Sequence, residues 1–190
     1  MVDSGIWLLA AFDAVVSALL INAGVAKLVA PGPLGRAATE VLAVPRRVIG
    51  PPVVRGLGVV EVIVAVALLV LPARLAAAIA CSLLGCCFVA VGIVGVLRRS
   101  SVPCGCFGGA SQQPLGWANI GLGAVLAVVW PVNALAGPVT AHGYTTAAVL
   151  LASIGSAIVC WWLNRRLLVP LFSARRAVQA RSEGSLCSSS

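Results

Sequence analysis

From Ile6 to Ala30 the chain carries only two charged side chains, Asp13 and Lys27, before Pro31-Gly32-Pro33 ends the run. That is enough apolar chain to cross a bilayer, which takes about 20 residues of helix. Four further apolar runs follow, so membrane spans are expected at about 6–30, 53–71, 75–97, 115–136 and 145–163. Between them lie a connector with Arg36, Glu40, Arg46 and Arg47 closed by Pro51-Pro52, a short turn at Pro72-Ala73-Arg74, and a loop opened by Arg98-Arg99. Pro131 falls inside the fourth run and should kink or end it, because its ring removes a donor and crowds the preceding turn. Hydrophobic residues make up 61% of the 190 and charged residues 9%, against about 25% charged in an ordinary soluble domain. Too little charge remains to cover a water-facing surface. The expected architecture is therefore an all-α integral membrane helical bundle of about five transmembrane helices over residues 1–170. A basic, Ser-rich cytoplasmic tail at 171–190 is expected to be disordered.

The formal net charge of +8 does not point to nucleic acid. The cations sit between or after the apolar runs, with no basic stripe interleaved with aromatics. They set topology instead. Lys27, the first connector, Arg55, Arg98-Arg99 and the tail hold twelve of the thirteen Lys and Arg, and Arg74 stands alone on the other side. The positive-inside rule puts the N-terminus outside and the C-terminus in the cytoplasm of a bacterial-type inner or plasma membrane. Trp7, Trp117, Trp130 and Trp161-Trp162 fall near the expected span ends, where amphipathic rings settle. Met-Val-Asp-Ser-Gly at the start lacks a cationic n-region, so the first span is expected to stay in the membrane.

The sharpest chemical feature is Cys104-Gly105-Cys106, preceded by Pro103 and followed by Phe107-Gly108-Gly109. Two thiols flanking one glycine can close a small, strained ring, and strained disulfides are the ones that exchange. Arg98 and Arg99 lie close in sequence and favour thiolate, the nucleophilic form. Three uses stay open on the residues alone: exchange with a partner protein, a loop-stabilising disulfide, and a soft-metal site. The metal case lacks further ligands, since the single histidine, His142, belongs to the opposite face, and no metal site is assigned. Seven cysteines is an odd number, so at least one is unpaired in a monomer. Cys81, Cys86, Cys87 and Cys160 fall inside spans and are expected to be small buried hydrophobes. The alternative for them is a second thiol pair that passes electrons into the bilayer.

Asp13 and Glu61 are carboxylates inside spans, where charge is costly and normally faces a partner in the bundle. The first two spans are antiparallel neighbours, so Lys27 can reach Glu61. That pair could bind the helices together or line a polar cavity for a substrate or quinone. Asp13 has no evident partner. Gly56, Gly58, Gly121 and Gly123 are expected to let helices pack closely. No cofactor is required by these residues, and quinone involvement is not readable from them.

With these residues in place, the chain resembles the MauE/DoxX-like family of redox-associated membrane proteins. The resemblance runs from about Asn22 to Pro131. It rests on Ala23-Gly24-Val25-Ala26-Lys27-Leu28, Glu61, Arg98, Cys104-Gly105-Cys106-Phe107-Gly108 and Asn119. It implies a four-helix DoxX-like core plus one added span, with a cysteine loop that takes part in thiol–disulfide chemistry. It also implies an assisting role in methylamine metabolism, in maturation of a methylamine dehydrogenase-type client.

The resulting expectation is a thiol–disulfide oxidoreductase in which Cys104 and Cys106 form the exchanging pair. Its partners would be a thioredoxin-like protein or maturing client and the membrane lipid, with no nucleic acid. The rival is a non-catalytic assembly subunit or small transporter with structural cysteines. The charge pattern carries its own test. After reduction with a permeant reductant, an impermeant thiol reagent added to intact cells should leave Cys104 and Cys106 unlabelled. Rapid labelling would reverse the topology.

Overall fold

A computed structural model describes residues 3–42, 45, 48–102, 104, 114–136 and 148–158. The regular elements among them are helices: α1 (Asp3–Val29), α2 (Gly32–Leu42), α3 (Pro51–Leu69), α4 (Arg74–Leu97), α5 (Trp117–Ala127) and α6 (Val129–Ala136), with α7 (Ala148–Ile158) last. Among the described residues, four stretches are long and apolar enough to cross a membrane: Trp7–Val29 in α1, all of α3, all of α4, and α5 with α6 over Trp117–Ala136. The chain is a multi-pass helical membrane protein. α7 is the described part of the expected fifth span and packs on α1 through Ala148 and Ala152, against Leu9, Ala10 and Ala14. The rest of that span, with Cys160 and Trp161-Trp162, lies outside the described residues, as does the 171–190 tail.

The bundle is built from two antiparallel pairs, α1 with α3 and α4 with α5, joined by a 3-10 turn at Leu71–Ala73. Lipid offers no hydrophobic drive for helix association, so close backbone approach has to supply the packing energy. A Cβ on Gly24 would lie 2.7 Å from the Gly58 carbonyl oxygen, and one on Gly58 the same distance from that of Gly24. Gly85 and Gly123 play the reciprocal part between α4 and α5, each Cβ falling 2.7 Å from the other's carbonyl oxygen. Gly58 and Gly123 thus do what the sequence suggested. Gly56 and Gly121 do not, because no described residue lies within 4 Å of a Cβ at either. Two residues along a helix is about 200° of rotation, which turns them away from the partner.

Pro131 acts where expected, and the break falls three residues ahead of it. Without an N–H, Pro131 cannot bond the Ala127 carbonyl, and its ring clashes with that turn. α5 accordingly ends at Ala127 and α6 begins at Val129. A hydroxyl from α4 repairs the gap. Trp130 N–H donates to Ser82 Oγ at 2.9 Å, and Ser82 Oγ–H donates to the Leu126 carbonyl at 3.4 Å. Ser82 therefore stands between a donor and an acceptor that an unbroken helix would join directly.

The connector after α1 contains a helix that its charges concealed. α2 spans 11 residues, about 16 Å at 1.5 Å per residue, too short to cross. Ala37, Ala38 and Val41 are buried while Arg36 and Glu40 are exposed. It covers one end of the bundle against α3 and α4.

Replacing Ser82 with Ala should lower stability by about 1–3 kcal/mol, the cost of leaving backbone groups without partners in a span that offers no water to replace them. Reversible unfolding in detergent micelles measures it, and a variant as stable as the parent would show that the broken span needs no repair.

Candidate functional site

The cysteine loop begins with a helix end that sets its direction. Arg99 adopts φ 48°, a left-handed conformation usually reserved for glycine. Ser100 N–H reaches back to the Gly95 carbonyl and Arg99 N–H to that of Val96, each at 3.0 Å. This paired closure turns the chain sharply off α4. The Leu115 N–H then donates to the Val102 carbonyl at 2.9 Å, so the loop leaves and rejoins the bundle at one point.

Cys104 sits just inside that closure. It is 4% exposed and packs with Val41 of α2 and Leu115, backed by Phe88, Val91 and Val94 of α4. Its sulfur is disulfide-bonded. Cys81, Cys86 and Cys87 are free thiols, so none of them is its partner. Cys106, with Pro103, Gly105 and Phe107–Gly109, lies outside the described residues. Asn119, 6% exposed, donates its Nδ2–H to Cys104 Sγ at 2.9 Å. Asn119 stands in the first turn of α5, after the N-cap residue Gly116. The helix dipole is positive there, and the Asn119 and Ile120 N–H groups are taken up by the Gly116 carbonyl at 3.0 and 3.1 Å. The sulfur thus meets an amide donor and a helix N-terminus in apolar surroundings.

A cavity of about 220 Å³ adjoins this point, beneath α2 and between α3, α4 and α5. Its wall is apolar, with Leu34, Ala38, Val54, Leu57 and Phe88 among the lining residues, apart from the Asn119 amide and the Cys87 thiol. Of the intramembrane cysteines, Cys81 is the buried hydrophobe expected of all. Cys86 and Cys87 are exposed at the surface of α4, because one helix cannot turn positions 81, 86 and 87 all inward.

Lys27 and Glu61 meet as the sequence suggested. Lys27 Nζ lies 2.7 Å from Glu61 Oε2, and neither side chain has any solvent-accessible surface. The ammonium also donates to the Ala23 carbonyl at 3.3 Å and lies 5.6 Å from the Phe88 ring centroid. Glu61 Oε1 is buried without a hydrogen-bond partner among the described residues.

Asp13, which the sequence left without a partner, meets two among the described residues. Asn133 Nδ2–H donates to Asp13 Oδ1 at 2.9 Å, and Arg74 Nε lies 3.8 Å from Asp13 Oδ2. Arg74 Nε–H also donates to Asn133 Oδ1 at 2.5 Å. Arg74 is therefore no simple surface charge: it is 6% exposed and turned into the bundle. The topology held a clue to this cluster, since the start of α1, the start of α4 and the end of α6 share one membrane face. Nothing in the sequence singled out Asn133 or Ser82.

Residues 6–140, which include every residue of these clusters, match the family model described as methylamine utilisation protein MauE. The chain belongs to the MauE family. The methylamine utilization protein MauE of Paracoccus denitrificans is 32% identical over 122 residues, covering 64% of this chain and 66% of that relative. No solved structure matches. The matched region of this family member carries all four candidate spans and the cysteine loop, and α7 lies beyond it.

Breaking the Lys27–Glu61 pair from one side strands a charge in the bundle. Lys27→Met should cost about 3–5 kcal/mol, whereas the double variant Lys27→Met/Glu61→Leu should recover most of the loss. Detergent unfolding of the two single variants and the double variant would reveal this coupling. Additive losses would mean that the side chains act independently.

Proposed function

We propose that this MauE-family chain is a membrane thiol–disulfide exchange protein in which Cys104 and Cys106 are the working pair. It serves the redox state or maturation of a partner, a thioredoxin-like protein or a maturing client. The Paracoccus relative's name places that protein in methylamine utilisation, and the corresponding client here would be of methylamine dehydrogenase type. The match covers 66% of the relative's length, so the assignment rests first on this chain's own residues.

The observation that carries the reading is the setting of the Cys104 sulfur. It is disulfide-bonded and accepts a hydrogen bond from Asn119 at 2.9 Å at the start of a helix. A purely structural disulfide needs no donor aimed at its sulfur. A sulfur that becomes thiolate during exchange gains from one, because hydrogen bonds to charged groups are about twice as strong as neutral ones. Exchange then proceeds through a mixed disulfide: an incoming thiolate bonds one sulfur of the pair, and the other leaves as thiolate. On the charge pattern, the loop faces the cytoplasm of a bacterial-type plasma membrane, with the N-terminus outside.

A second reading, a non-catalytic assembly subunit or small transporter with structural cysteines, draws on one specific observation. Among the described residues nothing answers Glu61 Oε1, a carboxylate oxygen within the spans, which suits a polar group taken up from outside the chain. Under that reading Glu61 matters more than either loop thiol.

Capping free thiols in growing cells and resolving the products by gel shift separates the two. The loop pair should populate both oxidised and reduced states, and a Cys104→Ser/Cys106→Ser double variant should lose the partner's redox change. A pair that is permanently closed, or a client indifferent to the double variant, would leave the second reading in place.

A further inference from the structure

We infer that Cys104 is the leaving sulfur of the pair and that Asn119 is a catalytic residue that holds its thiolate, so that partners enter through Cys106. The inference rests on the exchange reading and assigns it a direction of attack within the loop.

Burial gives the first part of the argument. An attacking thiolate must approach a disulfide sulfur in line with the bond it breaks, and access decides which sulfur it meets. Cys104 is 4% exposed, covered by Val41 of the α2 helix and by Leu115. A protein partner cannot bring a cysteine to that sulfur without lifting α2 from the bundle. The second sulfur of the proposed pair is then the one that a partner meets.

The hydrogen bond gives the second part. In the first step the incoming thiolate bonds Cys106 Sγ, the Cys104–Cys106 bond breaks, and its electron pair stays on Cys104. That sulfur is then an anion in a site walled by Val41, Leu115, Phe88 and Val91, where an unsolvated charge would be costly. Asn119 Nδ2–H already points at it from 2.9 Å, and the α5 N-terminus adds favourable dipole. The amide therefore gains strength as the charge develops. The step closes in either direction without any further reagent. A second thiolate on the partner can attack the mixed disulfide, leaving the partner oxidised and the loop as dithiol. Alternatively, the Cys104 thiolate returns to Cys106 and expels the partner thiolate.

Sequence position alone would not have given Asn119 this part. Its side chain reaches Cys104 because α5 begins immediately after the loop closes at Val102 and Leu115.

The test uses the purified full-length protein in detergent, with dithiothreitol and glutathione as probes. Asn119→Leu, close in volume but without a donor, should slow opening of the disulfide by dithiothreitol by about tenfold or more, the scale of a hydrogen bond to a charged group. It should also make the pair about tenfold harder to reduce in glutathione buffers, about 30 mV more negative. Asn119→Gln, which keeps an amide, should recover part of both. An unchanged rate and potential in Asn119→Leu overturn the role of the amide. Should the Leu variant fail to fold, the single serine variants decide. With oxidised glutathione, Cys104→Ser should form a mixed disulfide on Cys106 readily, and Cys106→Ser should form one on Cys104 far more slowly. Equal rates overturn the assignment of the leaving sulfur. A loop pair that never opens in cells would instead count against the exchange function, whatever these in vitro rates show.

Discussion

Lys27 and Glu61 meet at 2.7 Å with no accessible surface on either side chain, and much of the bundle follows from the need to keep them together. An ammonium or a carboxylate alone among hydrocarbon tails is costly, so neither helix is readily placed without the other. The Gly24–Gly58 crossing lies one helical turn from Lys27 and about one turn from Glu61, and it brings the backbones close enough for the side chains to touch. The pair is a constraint more than a source of stability, since its attraction must first offset the desolvation of both charges. It fixes the register of α1 against α3.

The same logic governs the other membrane face. Asp13, Arg74 and Asn133 come from α1, α4 and α6, and each is answered by the other two. Asp13 and Lys27 stand fourteen residues apart on α1, about 21 Å along its axis. One helix thus carries a polar contact in each half and ties the rest of the bundle to itself. Backbone needs are met in the same way where Pro131 breaks the fourth span. Ser82 supplies a donor and an acceptor that water would supply in a soluble protein. Polar residues in these spans serve chiefly as joints between helices.

The helices were legible in the sequence because their signal, long runs almost free of charge, is a bulk property that tertiary context does not override. The first four apolar runs coincide with the four stretches long enough to cross a membrane, and Lys27–Glu61 could be read because both charges stood alone in adjacent antiparallel spans. Other features depended on rotation about the helix axis, which composition does not report. α2 was hidden by Arg36 and Glu40, although Leu34, Ala37, Ala38 and Val41 follow helical spacing. Gly56 and Gly121 looked the same as Gly58 and Gly123 but face the other way. Cys86 and Cys87 could not be separated from Cys81 until the face of α4 was known. Asp13 appeared unpartnered because Arg74 had been counted as a surface charge and Asn133 carries no charge to count.

The cysteine loop joins α4 and α5, two helices whose backbones touch, and this bears on what holds Cys104. α4 delivers the chain to Cys104, and α5 delivers Asn119 to the same sulfur. A Cβ on Gly95 would lie 2.6 Å from the Leu115 carbonyl oxygen, and one on Gly92 would lie 3.0 Å from the Ile120 nitrogen. Both contacts flank the closure from which the loop departs. The distance from amide to sulfur is therefore set by backbone packing and not by a flexible side chain reaching across a gap. The donor belongs to the helical frame, because Asn119 stands in α5 where the backbones of α4 and α5 are in contact.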